Sequence, residues 1–142
     1  MFYNNIKLTI VYDIQYTKHE VINYMDPIDE LVSSLIVELK RGTLVLSVLS
    51  QLNNPEYGYS LVQKLEKKNA LIEAGTLYPL LRRLEKQQLL ISEWDTSESR
   101  PRKYYVLSDE GKEVYHRLKN EWRSLSKQLE GLLMEEDNNE ND

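Results

Sequence analysis

Residues 73–86 read EAGTLYPLLRRLEK, and this stretch decides how the rest of the chain is interpreted. Leu77, Leu81 and Leu84 recur at the i, i+4, i+7 spacing of a helix with one buried face. The opposite face carries groups that can donate hydrogen bonds to phosphates or base edges: Thr76, Tyr78, Arg82 and Arg83. The stretch therefore predicts a helix that begins near Ala74. It is either an ordinary surface helix or the helix that enters a DNA groove.

Apolar residues upstream of this stretch predict a longer helical region. Between Ile28 and Leu52 they follow the i, i+3, i+4, i+7 spacing of an amphipathic helix. Glycine costs roughly 1 kcal/mol in a helix interior. Gly42 therefore leaves two alternatives open, one long helix or two helices that meet near this residue. Pro55 cannot continue a helical hydrogen-bond ladder, so it ends the region.

The segments on either side of residues 73–86 complete a recognisable order. A helix that opens at Tyr57-Gly58-Tyr59 carries Lys64 and Lys67 on its polar side, a pattern that is also typical of a solvated surface. After residues 73–86, two β-rich runs flank a polar turn and predict a hairpin. Basic residues cluster where the second run leaves this turn: Arg100, Arg102 and Lys103. The order helix, turn, helix, basic hairpin is that of a winged helix-turn-helix.

The last predicted helix, which Ser108 caps, has the apolar spacing of a coiled coil. Its apolar residues are spaced 3-4-3-4-3, as in an a/d heptad seam: Tyr115, Leu118, Trp122, Leu125, Leu129 and Leu132. About two and a half heptads are too few for an independent coiled coil, so the seam needs a packing partner. A dimer-forming helix and a helix packed within one chain are the two interpretations.

Composition limits the classes of function. The chain has 142 residues, of which 41% are apolar, and this is typical of one globular domain with appendages. It contains no cysteine, and its two histidines, His19 and His116, are far apart, so no metal site is expected. No phosphate-binding glycine loop, nucleophile–base pair, membrane-spanning run or secretion signal is recognised. We therefore expect a cytoplasmic protein that is not an enzyme, has no membrane partner and needs no cofactor.

The net charge of −5 arises in the C-terminal tail. Residues 131–142 contain five acidic and no basic side chains. Residues 41–107 contain ten basic and seven acidic side chains, a net charge of +3. The middle of the chain is therefore mildly basic, which permits DNA binding.

These patterns divide the chain into four parts. Residues 6–17 have the period of two that is typical of a strand, so residues 1–24 are expected to form a strand-like or disordered extension. Residues 29–107 are expected to form the winged helix-turn-helix, residues 108–134 a C-terminal dimerisation helix, and residues 135–142 a disordered acidic tail. The predicted fold class is mainly α with a small β-hairpin, a winged helix-turn-helix with long N-terminal and C-terminal dimerisation helices.

An ordered set of motifs resembles the PadR-like transcriptional regulators. The motifs are Arg41-Gly42-Thr43-Leu44, Tyr57-Gly58-Tyr59, Gly75-Thr76-Leu77-Tyr78-Pro79, Arg82-Arg83-Leu84-Glu85 and Arg102-Lys103-Tyr104-Tyr105. The resemblance covers roughly residues 31–133. It implies a homodimeric winged-helix repressor whose C-terminal helix packs against the first helix of the partner subunit.

Trp122 extends the resemblance to the multidrug-sensing members of that family. Those members place a tryptophan eleven residues after the glycine that corresponds to Gly111, which is the position of Trp122 here. Their two indoles, one from each subunit, stack on flat aromatic compounds. A tryptophan that simply fills the core would fit the same pattern. Some drug-binding members carry an acid one turn later, where this chain has Ser126, and this difference argues against selectivity for cations.

The expected function is that of a homodimeric DNA-binding transcriptional regulator. The resemblance implies a repressor that a planar aromatic ligand at the dimer interface, near Trp122 and Ser126, releases from a near-palindromic operator. The residues expected to contact double-stranded DNA are Lys64, Lys67, Thr76, Tyr78, Arg82, Arg83, Arg100, Arg102 and Lys103. The alternatives are a winged-helix regulator without a small-molecule ligand and a protein-interaction module.

Overall fold

A computed structural model describes residues 26–70 and 72–139. In these ranges, helices and strands follow one another as α1 Pro27–Arg41, α2 Leu44–Leu49, β1 Glu56–Tyr57, α3 Gly58–Lys67, α4 Ala74–Lys86, β2 Leu90–Asp95, β3 Arg102–Leu107 and α5 Asp109–Asn139. The prediction of a mainly α fold with a small β-hairpin is confirmed, and the hairpin forms part of a three-stranded antiparallel sheet. The extension predicted for residues 1–24 lies outside the described residues.

The turn at Gly42 decides between the two alternatives for the N-terminal helical region. α1 ends at Arg41 and α2 begins at Leu44. Between them the Thr43 N–H donates a hydrogen bond to the Lys40 carbonyl at 3.1 Å. This bond joins residues three apart, as in the 3-10 turn that often ends an α-helix. Two helices are therefore present in place of one long helix.

The described residues divide into two compact units between Glu38 and Leu39. The first unit holds most of α1, a helix on which no side chain is buried. Its first turn contains two acids and its last turn two basic residues, an arrangement that suits the helix dipole. The second unit contains the other helices, the sheet and the hydrophobic core.

The core of the second unit lies where α2, α3, α4 and the sheet meet. Its largest fully buried side chains are Val48, Leu49, Leu52, Leu61, Leu77, Leu81 and Leu84. α4 contributes the three leucines predicted for its buried face, together with Leu80, which is 7% exposed. The buried face of α4 is therefore wider than predicted, and the polar side chains between these leucines point to solvent.

α3 and α4 both end in the same backbone motif. Asn69 and Gln88, one residue past the cap of each helix, have positive φ angles of 57° and 61°. After α4, the Leu89 N–H donates to the Leu84 carbonyl at 3.0 Å, which satisfies a carbonyl left open by the helix end. Asn69 and Gln88, whose backbones are left-handed, each turn the chain sharply away from the helix that they follow.

β3 is the central strand of a three-stranded antiparallel sheet with the order β1-β3-β2. The predicted hairpin is formed by β2 and β3, with Leu90 opposite Leu107 and Asp95 opposite Arg102. We refer to residues 90–107 as the wing. β1 pairs with the other side of β3, and it was not predicted because a two-residue strand has no measurable periodicity.

α5 is longer than predicted. The helix was expected to end at residue 134 and to be followed by a disordered tail, but it continues to Asn139. Glutamate favours helix, and neither glycine nor proline interrupts residues 132–139, so the helix extends past its apolar seam. At the other end, Ser108 Oγ accepts a hydrogen bond from the Gly111 N–H at 2.9 Å, as a helix cap does.

The start of α5 is bound to the turn that follows α4. Ser108 Oγ donates to the Gln88 carbonyl at 2.6 Å, and the Ser108 N–H donates to the Leu89 carbonyl at 3.0 Å. A Cβ atom built on Gly111 would lie 3.0 Å from the Leu89 carbonyl carbon and closer still to its oxygen. Glycine is therefore required where α5 meets this turn. We call Gln88, Leu89, Ser108 and Gly111 the helix junction.

Candidate nucleic-acid interface

The polar face of α4 is presented to solvent. Thr76, Tyr78, Arg82 and Arg83 are exposed, whereas the leucines between them are buried. Within residues 26–70 and 72–139, neither Arg82 nor Arg83 forms an ion pair. A guanidinium group carries five N–H donors, so this face offers two cationic groups that no described carboxylate neutralises.

Tyr78 is supported by the first residue of α3. A Cβ atom built on Gly58 would lie 2.7 Å from both the Cζ atom and the hydroxyl oxygen of Tyr78. The ring therefore packs against the Gly58 backbone and occupies the space that a larger side chain at position 58 would need. Tyr78 is still 37% exposed, so one side of the ring is held and the other is open.

One carboxylate joins α4 to both strands of the wing. Glu85 accepts a hydrogen bond from Ser92 Oγ on β2, and its other oxygen pairs with Lys103 Nζ on β3 at 3.0 Å. Lys103 Nζ also lies 5.3 Å from the centre of the Tyr105 ring. The wing is therefore held against the C-terminal half of α4, and the two predicted DNA-binding elements form one surface.

The contacts of Glu85 keep it ionised. The Ser92 hydrogen bond and then the Lys103 hydrogen bond lower the pKa of the Glu85 carboxyl below its ordinary value of 4.5. A lowered pKa in the folded state adds stability above the unfolded-state pKa, and this stability is lost as the pH falls through the folded-state value. The connection between α4 and the wing is therefore complete at neutral pH and weakens only below about pH 4.5.

Three of the basic residues predicted to contact DNA are paired with acids: Lys64 with Glu56, Arg102 with Glu98, and Lys103 with Glu85. Of the three, the pair of Arg102 and Glu98 is exposed on both sides. Exposed ion pairs contribute only about 0–1 kcal/mol, so a phosphate can replace that carboxylate. Sequence reasoning missed these acids because two of them lie 8 and 18 positions from their lysines. The other predicted cations form no ion pair in the described part of the chain: Lys67, Arg82, Arg83 and Arg100.

Glu85→Gln keeps a side-chain oxygen that can accept the Ser92 hydrogen bond to the wing, but it ends the ion pair with Lys103. It is expected to strengthen duplex binding and to steepen its salt dependence by about one unit, because it frees Lys103 for a phosphate. The measurement is the affinity for a DNA duplex over a salt series. Glu93→Gln is the matched control, since Glu93 is exposed on β2 and forms no ion pair among the described residues. Equal slopes for Glu85→Gln and the control would contradict a phosphate-binding role for Lys103.

Trp122 and Ser126 lie together on a groove along α5. The groove has a volume of about 480 Å³, and Trp122 is 47% exposed. A second groove of about 400 Å³, between α5 and α2, is also lined by Trp122. The indole faces solvent here, so the interpretation of Trp122 as a core residue is wrong for a single chain.

The predicted dimerisation seam divides into two parts. Tyr115 is half-buried and packs against the core, because the start of α5 lies on α2. From Leu118 onwards the apolar side chains stand in solvent, with exposed fractions between 37% and 64%: Leu118, Trp122, Leu125, Leu129 and Leu132. A continuous apolar stripe of this kind is typical of an interaction surface.

Other kinds of site are not formed by the described residues. No group of three or more histidine, aspartate or glutamate side chains in this part of the chain is placed to hold a metal ion. Among the helices of the described ranges, none is both long enough and apolar enough to cross a bilayer.

Comparison with known proteins supports the assignment of the fold. The PadR-like family of transcriptional regulators matches residues 45–117. A PadR family transcriptional regulator from Eggerthella lenta is 53% identical, with a TM-score of 0.72, over 75% of this chain and 95% of that protein. A PadR-like regulator from Bacillus cereus is 31% identical, with a TM-score of 0.61, over 68% of this chain and 96% of that protein. The transcriptional regulator Rv3488 of Mycobacterium tuberculosis is 34% identical over 76 residues, which are 53% of this chain and 71% of that protein.

The matched region begins in α2, contains α3, α4 and the wing, and ends in the first part of α5. It therefore includes the exposed face of α4, the Glu85 connection and the helix junction. The family and these relatives are regulators of transcription, so the expectation that the chain is not an enzyme is confirmed. The chain belongs to the PadR-like family of transcriptional regulators.

Proposed function

We propose that the protein is a homodimeric repressor that binds a near-palindromic operator and is released by a planar aromatic ligand. The observation that carries the proposal is the position of the wing, which Glu85 holds beside the exposed cationic face of α4. An α-helix such as α4 fits into the major groove of DNA, which is about 12 Å wide. A wing fixed beside such a helix meets the neighbouring backbone.

Each element of this surface has a distinct role in the proposal. Thr76 and Tyr78, near the start of α4, enter the major groove, and Arg82 or Arg83 binds a phosphate or a guanine. Arg100, Arg102 and Lys103 hold backbone phosphates or the minor groove from the wing. Lys64 and Lys67 add phosphate contacts from α3, each of which steepens the salt dependence by about one unit.

The exposed stripe on α5 supports the homodimer. Five apolar side chains on one helix face remain in solvent after the core of the chain has formed. Burial of apolar surface is worth about 25 cal/mol per Å², so covering this stripe with a second copy is favourable. A two-fold dimer presents two copies of α4, which predicts half-sites about one helical turn of DNA apart, or a multiple of it.

The direct test is the selection of DNA fragments by the purified protein, followed by mobility-shift measurements on the selected duplex over a salt series. We expect two half-sites related by inversion and an affinity that falls steeply with salt. An affinity that does not change with salt would contradict the phosphate contacts. It would favour the alternative of a protein-interaction module.

The ligand proposal rests on the groove that Trp122 and Ser126 line. We expect a panel of planar aromatic compounds to quench Trp122 fluorescence and to lower operator affinity by about 5- to 150-fold, the usual range of allosteric coupling. Trp122→Ala should remove both effects, whereas Trp94→Phe, which leaves Trp122 as the sole tryptophan, should retain the quenching. If no compound in the panel changes the emission of the wild-type protein, the regulator without a small-molecule ligand is favoured.

A further inference from the structure

A groove of about 660 Å³ lies between the start of α4 and the wing. Its lining combines four aromatic side chains with basic residues of the wing: Tyr57, Tyr59, Tyr78, Trp94, Arg100 and Arg102. Of the four rings, only Tyr78 was assigned to DNA from the sequence. The groove therefore contains an aromatic surface to which the proposed contacts give no role.

The register of the sheet explains why Trp94 faces this groove. Trp94 is opposite Lys103, and Ser92 is opposite Tyr105. Opposed residues in an antiparallel pair, and residues two apart on one strand, point to the same face of the sheet. Trp94 therefore shares a face with Ser92 and Lys103, the two residues that contact Glu85 of α4. The indole extends the surface of α4 towards the tip of the wing.

Two of the four rings in this groove are largely exposed to solvent. Trp94 is 65% exposed and Tyr59 is 60% exposed. An enclosed small-molecule site buries most of the surface of its ligand, and its aromatic lining is correspondingly covered. A shallow groove lined by exposed rings is suited instead to an extended polymer that passes across it.

The charge of the groove indicates which kind of polymer it would bind. Its lining contains three basic side chains and no acid. Arg100 forms no ion pair among the described residues, and the pair between Arg102 and Glu98 is exposed on both sides, so it is weak. A DNA backbone alternates anionic phosphates with the apolar carbons of deoxyribose, and this chemistry complements a groove of arginines and aromatic rings.

We infer that this groove binds the sugar–phosphate backbone of one strand of the operator duplex, an inference that rests on the proposed function. Trp94 and Tyr59 pack against deoxyribose, and Arg100 binds a flanking phosphate. Trp94 is thus a further DNA-binding residue, placed between the contacts of α4 and those of the wing tip.

The test uses the full chain and a duplex that carries the gene's own upstream region. We expect the duplex to change the tryptophan emission of the wild-type protein at the concentrations that produce a mobility shift, and Trp94→Phe should lose this change. Trp94→Ala should weaken binding about tenfold through lost apolar contact. Its salt slope should stay unchanged because no charge is removed, whereas Arg100→Ala should lower the slope by about one unit.

Ile91→Ala is the matched control for Trp94→Ala. Ile91 is also an apolar residue of β2 and is 51% exposed, but it does not line the groove. Its replacement should leave the affinity unchanged. Circular dichroism of both variants checks that the fold is retained.

Three outcomes would overturn the inference, and they are distinguishable. If the duplex binds but neither the Trp94 emission nor the affinity of Trp94→Ala changes, the groove is not part of the interface, and the proposed function stands. If a free deoxynucleoside monophosphate saturates the Trp94 signal and displaces the duplex, the occupant is a small molecule. If no duplex binds even at low salt, both the inference and the proposed function fail.

Discussion

Gly111→Ala is expected to lower the free energy of unfolding by about 3 kcal/mol, at the upper end of the usual cost of overpacking. The added methyl group would overlap the carbonyl oxygen of Leu89 and lie 3.2 Å from a methyl carbon of Leu107. The obstacle is backbone, so it cannot move aside as a surface side chain does.

The surroundings of Leu89 explain why the overlap is not relieved. Its carbonyl accepts the Ser108 N–H at 3.0 Å, and the preceding carbonyl, that of Gln88, accepts the Ser108 hydroxyl at 2.6 Å. Moving this turn would also disturb Gln88, the residue with a left-handed backbone that follows α4. The methyl group can therefore be accommodated only by separating α5 from the end of α4.

The measurement is denaturant unfolding of the two proteins at equal concentration. Gly131→Ala is the matched control on the same helix, because a Cβ built on Gly131 meets nothing within 4 Å. Alanine favours helix over glycine, so this control should gain roughly 0.5–1 kcal/mol. A Gly111→Ala variant as stable as the wild type would show that the helix junction is not tightly packed.

The double replacement Arg82→Ala, Arg83→Ala is expected to weaken operator binding by roughly 100-fold or more, since one base-reading contact alone is worth about 1–3 kcal/mol. Both side chains are exposed on α4 and form no ion pair among the described residues. Their loss therefore leaves no buried partner behind, and the fold should be unaffected. The measurement is a mobility shift of the selected operator over a salt series.

The single variants separate the two possible roles of these arginines. A residue that grips phosphate lowers the salt slope by about one unit and weakens binding to all sequences alike. A residue that reads a guanine also relaxes the preference at one position of the half-site. Arg117→Ala is the control, because Arg117 is exposed on α5 and pairs with Glu113 at 2.7 Å. If the double variant binds as tightly as this control, the assigned face of α4 is wrong.

Local patterns predicted the elements of this fold well. The leucine spacing in residues 73–86 identified the buried face of α4, and the exposed positions of Tyr78 and Arg82 follow from the same periodicity. The Ser108 cap and the hairpin were predicted for similar reasons, since caps and alternating strands depend on a few neighbouring residues. The DNA contacts assigned to these side chains stay predictions.

Features that depend on distant residues were not predicted. The pairing of Lys103 with Glu85 spans 18 positions and depends on how the wing lies on α4. The same holds for Gly58, whose need for a small side chain arises only when Tyr78 is placed over it. The net charge of residues 41–107 does not show which basic side chains are paired, whereas the fold pairs Lys64 with Glu56 and Lys103 with Glu85. Periodicity carries no information about contacts of this kind.

The helix junction connects α5 rigidly to the proposed DNA-binding surface. Trp122 follows Ser108 by 14 positions, so it lies about 21 Å along the helix axis from the junction. Because the junction is tightly packed, α5 and α4 turn together, and a displacement of nearly 4 Å at the indole corresponds to a rotation of roughly 10° at α4. In the proposed dimer, when the two copies of Trp122 are held in place, the same rotation moves the other end of each subunit and changes the separation of the two copies of α4. In the proposed mechanism a ligand at Trp122 therefore alters the fit to DNA without contact with α4 or the wing, provided that the junction at Gly111 stays rigid.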